Sequence, residues 1–243
     1  LSGSIMEGAD LTGAFLDKAS LKSAKLKGVI LRGHNLREVD LSGSNLRGAD
    51  LRDTQLEGAN VSQSDLTGAN LGRAQLSHVR LKRAKGVEAD FSGAKMVAAD
   101  LRWTVMNQAR FIETDLSGAR FEYAELKAAD LSDTTLVRSH FQKANLMEAT
   151  LRRADLRESD MDQCDLRKAD LTYCDLRQVK LSGTQCEAAD MQWADLTGSQ
   201  MTASVLKASR LNHAKLNRVD LRKSVLTLAD LSEAVHSDVK ACI

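Results

Sequence analysis

The sequence predicts an all-β solenoid of about twelve four-sided coils, and three regularities carry that expectation. An apolar residue recurs every five positions from Leu1 to Leu231, with no insertion anywhere. A column of small residues runs two positions ahead of it. The aromatic residues repeat at twenty, four times the basic period.

The apolar column has 47 members: 34 Leu, 6 Met, 4 Phe and 1 Val, broken only by Gly86 and Cys186. The small column, Ser4 to Ala229, has 46 members: 24 Ala, 9 Ser, 5 Thr, 5 Val, 2 Cys and His34. Between the two lies a polar position, Asp or Asn at 22 of its 47 places. Thirteen of the fifteen Gly fall two residues after an apolar centre. Steps of five on a helix advance about 140° each, so the Leu column would wind around every side of one. Small-polar-Leu reads instead as a short strand with alternate residues turned inward. The pair that follows is a corner, where Gly accepts a positive φ.

The number of sides comes from like residues stacking on successive coils. Phe91 and Phe111 are twenty apart, as are Phe121 and Phe141, and outside the core so are Trp103 with Tyr123 and Tyr173 with Trp193. Only Phe15 has no such mate. Twenty residues are four pentapeptides, hence a four-sided coil. At about 4.8 Å per coil the rod is roughly 55 Å long.

Stretches such as GADLTGA, RGADLRD, GANLGRA and SDLTGANL make the chain resemble the pentapeptide-repeat proteins, from residue 1 to about 235. The resemblance implies a right-handed quadrilateral β-helix with the central Leu and the preceding small residue inside. Its handedness is not contained in the periodicity. It also implies two kinds of function: repeat modules of larger bacterial proteins, some secretion-associated, and bacterial mimics of duplex DNA that bind gyrase and confer quinolone resistance.

Lys plus Arg number 34 against 33 Asp plus Glu, a net charge of +1, which excludes a chain that is basic or acidic overall. No apolar run approaches the eighteen residues of a membrane span, and LSGSIMEGAD has neither a basic n-region nor an apolar h-region. The absence of an initiator Met predicts an excised domain or a processed product, and with the resemblance the expectation is a domain excised from a larger bacterial protein. Cys164, Cys174, Cys186 and Cys242 show no CxxC spacing, which fits reduced thiols in the cytoplasm unless the whole protein is secreted.

A search for chemistry yields little. Cys164, Cys174 and Cys186 fall in inward columns among Leu and Ala and read as small apolar fillers, not metal ligands. His34 stands in the small column and reads as a core histidine bonded to backbone in a swollen coil. Gly86 leaves a central place empty, and Val87 is expected to turn inward through a bulge. Asp155, Asp175 and Asp195 form an outward ladder that Arg157 and Arg177 neutralise. Catalytic residues, metal and cofactor are not expected.

Charge sorts by face. Taking the three outward residues of each repeat, the face of Leu21, Leu41 and Leu81 nets +4, and the opposite face, of Leu11, Leu51 and Leu131, nets −4. On the first, Arg80, Lys82 and Arg83 cluster, with Lys85 round the corner; four charges without a stacking aromatic bind nucleic acid weakly, so none is expected as a partner. Candidate surface contacts are Trp103, Tyr123, Tyr173, Trp193, Arg80, Lys82 and Arg83. The reading is a non-enzymatic scaffold for a protein partner, ahead of a DNA-mimicking gyrase binder, which wants a strongly acidic surface. Residues 1–235 form the β-helix, and 236–243 are a tail expected to close part of the C-terminal opening through Val235, Val239 and Ile243. The N-terminal coil is expected to stay uncovered and to self-associate end to end.

Overall fold

The computed structural model describes residues 1–16 and 19–241, and they follow one right-handed quadrilateral β-helix. Strand pairing is parallel throughout and links residues twenty apart, from Ile5 with Lys25 to Asp220 with Lys240. Among the described residues no helix is long and apolar enough to cross a membrane.

Each side is built alike, and Leu131 illustrates it. Its N–H donates to Thr150 on the next coil at 2.7 Å, Asp133 N–H to Arg152 at 2.9 Å, and Thr150 N–H back to Ala129 at 2.9 Å. Three backbone bonds per side per coil leave few unpaired polar groups along the rod. The corner is a four-residue turn such as Leu1 to Ser4, closed by a Ser4 N–H to Leu1 carbonyl bond of 3.1 Å. Only the third residue of such a turn has positive φ, the pattern of a type II turn.

That position is positive-φ at every described corner, although Gly supplies only thirteen of them. The other 34 carry side chains at φ between 53° and 64°, Trp103 and Leu228 included. A left-handed residue with a Cβ costs roughly 1–2 kcal/mol, and the same residue's N–H recovers a ladder bond. The Asp/Asn column supports the corner further. Oδ1 of Asp40, Asp50, Asp90 and Asn70 each accepts the N–H two residues on, at 2.9–3.2 Å.

The interior is one continuous apolar core from Leu16 to Leu221. Phe91 stacks on Phe111 at 5.0 Å and Phe121 on Phe141 at 4.6 Å. These pairs hang from opposite faces and meet edge to face, Phe111 to Phe121, at 6.2 Å. Most buried Ser and Thr in the small column return their hydroxyls to the carbonyl three residues before, as Ser44 does to Leu41 at 2.7 Å and Thr54 to Leu51 at 2.6 Å; Thr114 donates instead to Phe91, and the Ser159 and Ser199 hydroxyls find no partner among the described residues.

Three sequence expectations need correction. Gly86 causes no bulge: its N–H bonds Val105 at 2.8 Å, Glu88 and Ala89 keep their regular bonds, and Val87 stays in its outward place. Met106, one coil on, fills the space, since a Cβ on Gly86 would overlap Met106 Sδ and lie 3.1 Å from its Cε. The tail reaches the C-terminal opening through Val239, which packs partly against the core, but not through Val235, and it does so by winding on rather than by folding across. Val235 pairs with Lys215 and Lys240 with Asp220, so the chain keeps winding, and Val235 remains exposed. Leu216, Leu221, Leu226 and Leu231 line a hollow of about 380 Å³ there. Cys242 and Ile243 lie outside the described residues. The third correction, at Trp103, belongs to the surface.

Candidate functional site

The outward side chains of a quadrilateral coil stand in files, because every residue has its counterpart one coil, and about 4.8 Å, further along. Two of these files carry the surface aromatics. Both occupy the positive-φ corner position, and they run along diagonally opposite edges of the rod.

On the first edge, Trp103 stacks on Tyr123 at 5.8 Å with their planes 3° apart. Cations close both ends of the stack. Lys82 Nζ stands 4.7 Å from the Trp103 ring centre, with the guanidinium carbons of Arg102 and Arg83 at 5.4 and 6.0 Å; Lys143 Nζ is 5.5 Å from the Tyr123 ring. The basic cluster therefore does have an aromatic partner. Arg83 and Trp103 are twenty positions apart in sequence and neighbours in space, a juxtaposition that reading RLKRAKG as a local segment misses.

The second edge extends the expected pair of Tyr173 and Trp193. Their rings stack at 6.1 Å, and His213 adds a third ring 4.0 Å from Trp193. Arg152 sits 5.6 Å from the Tyr173 ring, and His213 Nδ1 lies 3.1 Å from Glu233. The twenty-residue step that pairs Tyr173 with Trp193 also reaches His213, so its place was legible in the spacing.

The acidic residues are largely engaged. Asp50, Asp100, Asp155, Asp165, Asp175 and Asp220 each sit in an Asp-Leu-Arg segment, and the Arg two residues on grips its carboxylate with two nitrogens. The Arg157 and Arg222 side chains hold Asp155 and Asp220 below the usual carboxylate range, Asp220 at about 2. Asp195, the last of the sequence ladder, pairs with Lys215 at 3.5 Å. The ladder is thus a row of capped corners.

His34 Nδ1 lies 2.9 Å from the Leu31 carbonyl, the acceptor that a Ser or Thr uses elsewhere in this column. Its Nε2 is buried without a partner. At this level, among the described residues, no bridge joins Phe15 to Asn35, and Phe15 is fully exposed. Cys164 and Cys174 donate to the Phe141 and Leu151 carbonyls at 2.8 and 2.9 Å. Burial pushes the Cys186 thiol up to about 12 and the other two higher, so none is poised as a nucleophile. No group of His, Cys, Asp and Glu among the described residues is arranged to hold a metal ion.

Family models for pentapeptide repeats match residues 4–43, 35–73, 44–83, 87–122 and 204–235, and a pentapeptide repeat region model matches 134–202. The chain belongs to the pentapeptide repeat family. Among solved structures it is similar to HetL, a pentapeptide repeat protein involved in heterocyst differentiation regulation in the cyanobacterium Nostoc sp. strain PCC 7120. The identity is 29%, the match covers 84% of this chain and 88% of HetL, and the TM-score is 0.64. It is also similar to a pentapeptide repeat protein of the Arabidopsis thaliana thylakoid lumen, at 31% identity over 36% of this chain and 65% of that one, TM-score 0.32. QnrB1, a plasmid-mediated fluoroquinolone resistance protein, matches at 16% identity over 86% of this chain and 89% of its own, TM-score 0.32. Comparison with curated proteins gave no match.

Proposed function

We propose that this pentapeptide repeat chain is a non-enzymatic scaffold that binds a protein partner through its outward files. The observation that carries the reading is the pair of aromatic files, Trp103–Tyr123 and Tyr173–Trp193–His213. Large rings left on the surface at 38–51% exposure (Trp103, Tyr123, Tyr173, Trp193) are the residue types that dominate binding energy at protein interfaces. The coils behind them are locked by three ladder bonds per side, so the rings are held ready and binding costs little ordering. Proteins of this fold are generally non-enzymatic scaffolds. HetL, the similar structure, is involved in regulation of heterocyst differentiation, which is in keeping with a non-enzymatic role.

The gyrase-binding alternative gains no support from the surface. It needs bare carboxylates spaced like phosphates, and here Arg52, Arg73, Arg153 and Arg210 pair with acids of the most acidic face at 2.6–3.0 Å. A pull-down with the tagged chain, with a gyrase supercoiling assay beside it, tests both readings. The expected result is a saturable partner lost on Trp103→Ala or Trp193→Ala, with supercoiling unaffected. Sub-micromolar inhibition of gyrase reverses the order of the two.

A further inference from the structure

We infer that the first edge is a docking site for an extended acidic segment of a partner protein, received by Lys82, Arg83 and Lys143 around the outward rims of Trp103 and Tyr123, with Arg80 and Lys85 flanking the first two in the chain. This names the partner chemistry for the scaffold reading and rests on it.

The first edge carries unspent charge. Arg102 is held by Asp100 at 2.6 Å and Arg120 by Glu122 at 2.7 Å, which uses the carboxylates of this face at that level. Arg80, Lys82, Arg83, Lys85 and Lys143 have no ion-pair partner among the described residues. Five cations therefore stand on four successive coil levels, from Arg80 to Lys143, with no ion-pair partner among the described residues.

The orientation of the rings selects among anions. Single-stranded nucleic acid binds by laying bases on open aromatic faces. Here one face of Trp103 is turned to Tyr123 and cations crowd the ring from the preceding coil, while Tyr123 lies between Trp103 and Lys143. What points outward is the rim, the positive edge of the aromatic quadrupole. Trp103 Nε1 and Tyr123 Oη, both hydrogen-bond donors, engage no acceptor among the described residues. Positive rims, free donors and unpaired cations together suit carboxylates and give a base no face to stack on.

The length of the edge fits a short extended segment. Arg83 and Lys143 are three coils apart, about 14 Å, which an extended peptide spans in about four residues. Carboxylates at the two ends of such a stretch meet the two cationic ends of the file, and the residues between lie over the aromatic rims.

The test uses fluorescence anisotropy of the full chain with a fluorescein-labelled dodecamer of glutamate, and with a labelled dodecamer of thymidylate beside it. The variants are safe for folding. Glu occupies the corner position of Arg83 at Glu88 and Glu113, and Ala occupies that of Trp103 at Ala98 and Ala128, all with the same positive φ. Saturable, salt-sensitive binding of oligoglutamate is expected, weakened at least tenfold by Lys82→Glu with Arg83→Glu and about threefold by Trp103→Ala. The charge-matched Lys25→Glu with Lys27→Glu should change it less than threefold. Absence of saturable binding, an equal loss in the charge-matched variant, or tighter binding of thymidylate through Trp103 would each overturn the proposal. The pull-down separates this failure from failure of the scaffold reading: a partner captured equally with and without Lys82→Glu and Arg83→Glu removes the acidic site and leaves the scaffold standing.

Discussion

Met106 occupies the volume that Gly86 leaves open one coil before it. The two are stacked on the same side of the rod, next in the chain to the stacked rings of Phe91 and Phe111. Restoring the consensus with Gly86→Leu should therefore overpack the site and destabilise the fold by about 1–3 kcal/mol. Adding Met106→Ala should recover part of that loss, because the two side chains compete for one space. Urea titration of the single and double variants measures it; a stabilising Gly86→Leu would mean that Met106 has somewhere else to go.

His34 and Ser44 share a column and an acceptor type, yet His34 is the bulkier side chain. His34→Ser should keep the bond to the Leu31 carbonyl and let Asn35 N–H reach Ala14, as Asn45 N–H reaches Ala24 at 2.9 Å in the next repeat of that kind. Hydrogen exchange at the Asn35 amide should slow at least tenfold, about 1.4 kcal/mol of local opening. Unchanged exchange would locate the cause of the gap elsewhere.

The Asp-Leu-Arg corners predict the response to acid. Pairing with Arg52, Arg157, Arg167 and Arg222 lowers the carboxyls of Asp50, Asp155, Asp165 and Asp220 in the folded state. Their contribution is thus complete above the unfolded value near 4 and is lost as pH falls toward the folded values, about 2 for Asp220. Tm should be level from pH 7 to about 5 and fall below about 4. A triple variant, Asp155→Asn, Asp165→Asn and Asp220→Asn, keeps the corner bond that Asn45 and Asn70 make. Its acid-linked fall should be shallower; an identical pH profile would show that the pairs add nothing.

Leu1, Ile5, Leu231 and Val235 leave core-column and strand residues uncovered at the two ends of the described helix. Open ladder edges of this kind template pairing with another chain. Sedimentation of the 243-residue chain should therefore show concentration-dependent association, reduced by Leu1→Lys and by Leu231→Lys. A strict monomer in all three would mean the ends protect themselves.

The fold was legible because its information is periodic and local. Leu at every fifth place and Ala two before it state which residues turn inward, and the phenylalanine pairs state that four such steps close a coil. Even His213 could have been found by adding one more step of twenty to Trp193. Other features resisted for a physical reason. Gly86 reads as a hole when only its own repeat is considered, but the side chain that fills it comes from the next coil. RLKRAKG reads as a basic run without an aromatic, because Trp103 approaches Arg83 only after a full turn of the chain.

Sequence periodicity was sufficient for the strand-and-corner unit, its inward columns and the coil length, since each follows from side-chain alternation and the sterics of a tight turn. It was silent on how neighbouring coils share space and charge. That is why Met106 fills the place that Gly86 leaves, why Arg83 meets the Trp103 ring, and why the tail after Leu231 goes on winding. Those outcomes depend on the ladder between coils, where a backbone bond every few residues overrides the preference of any single side chain.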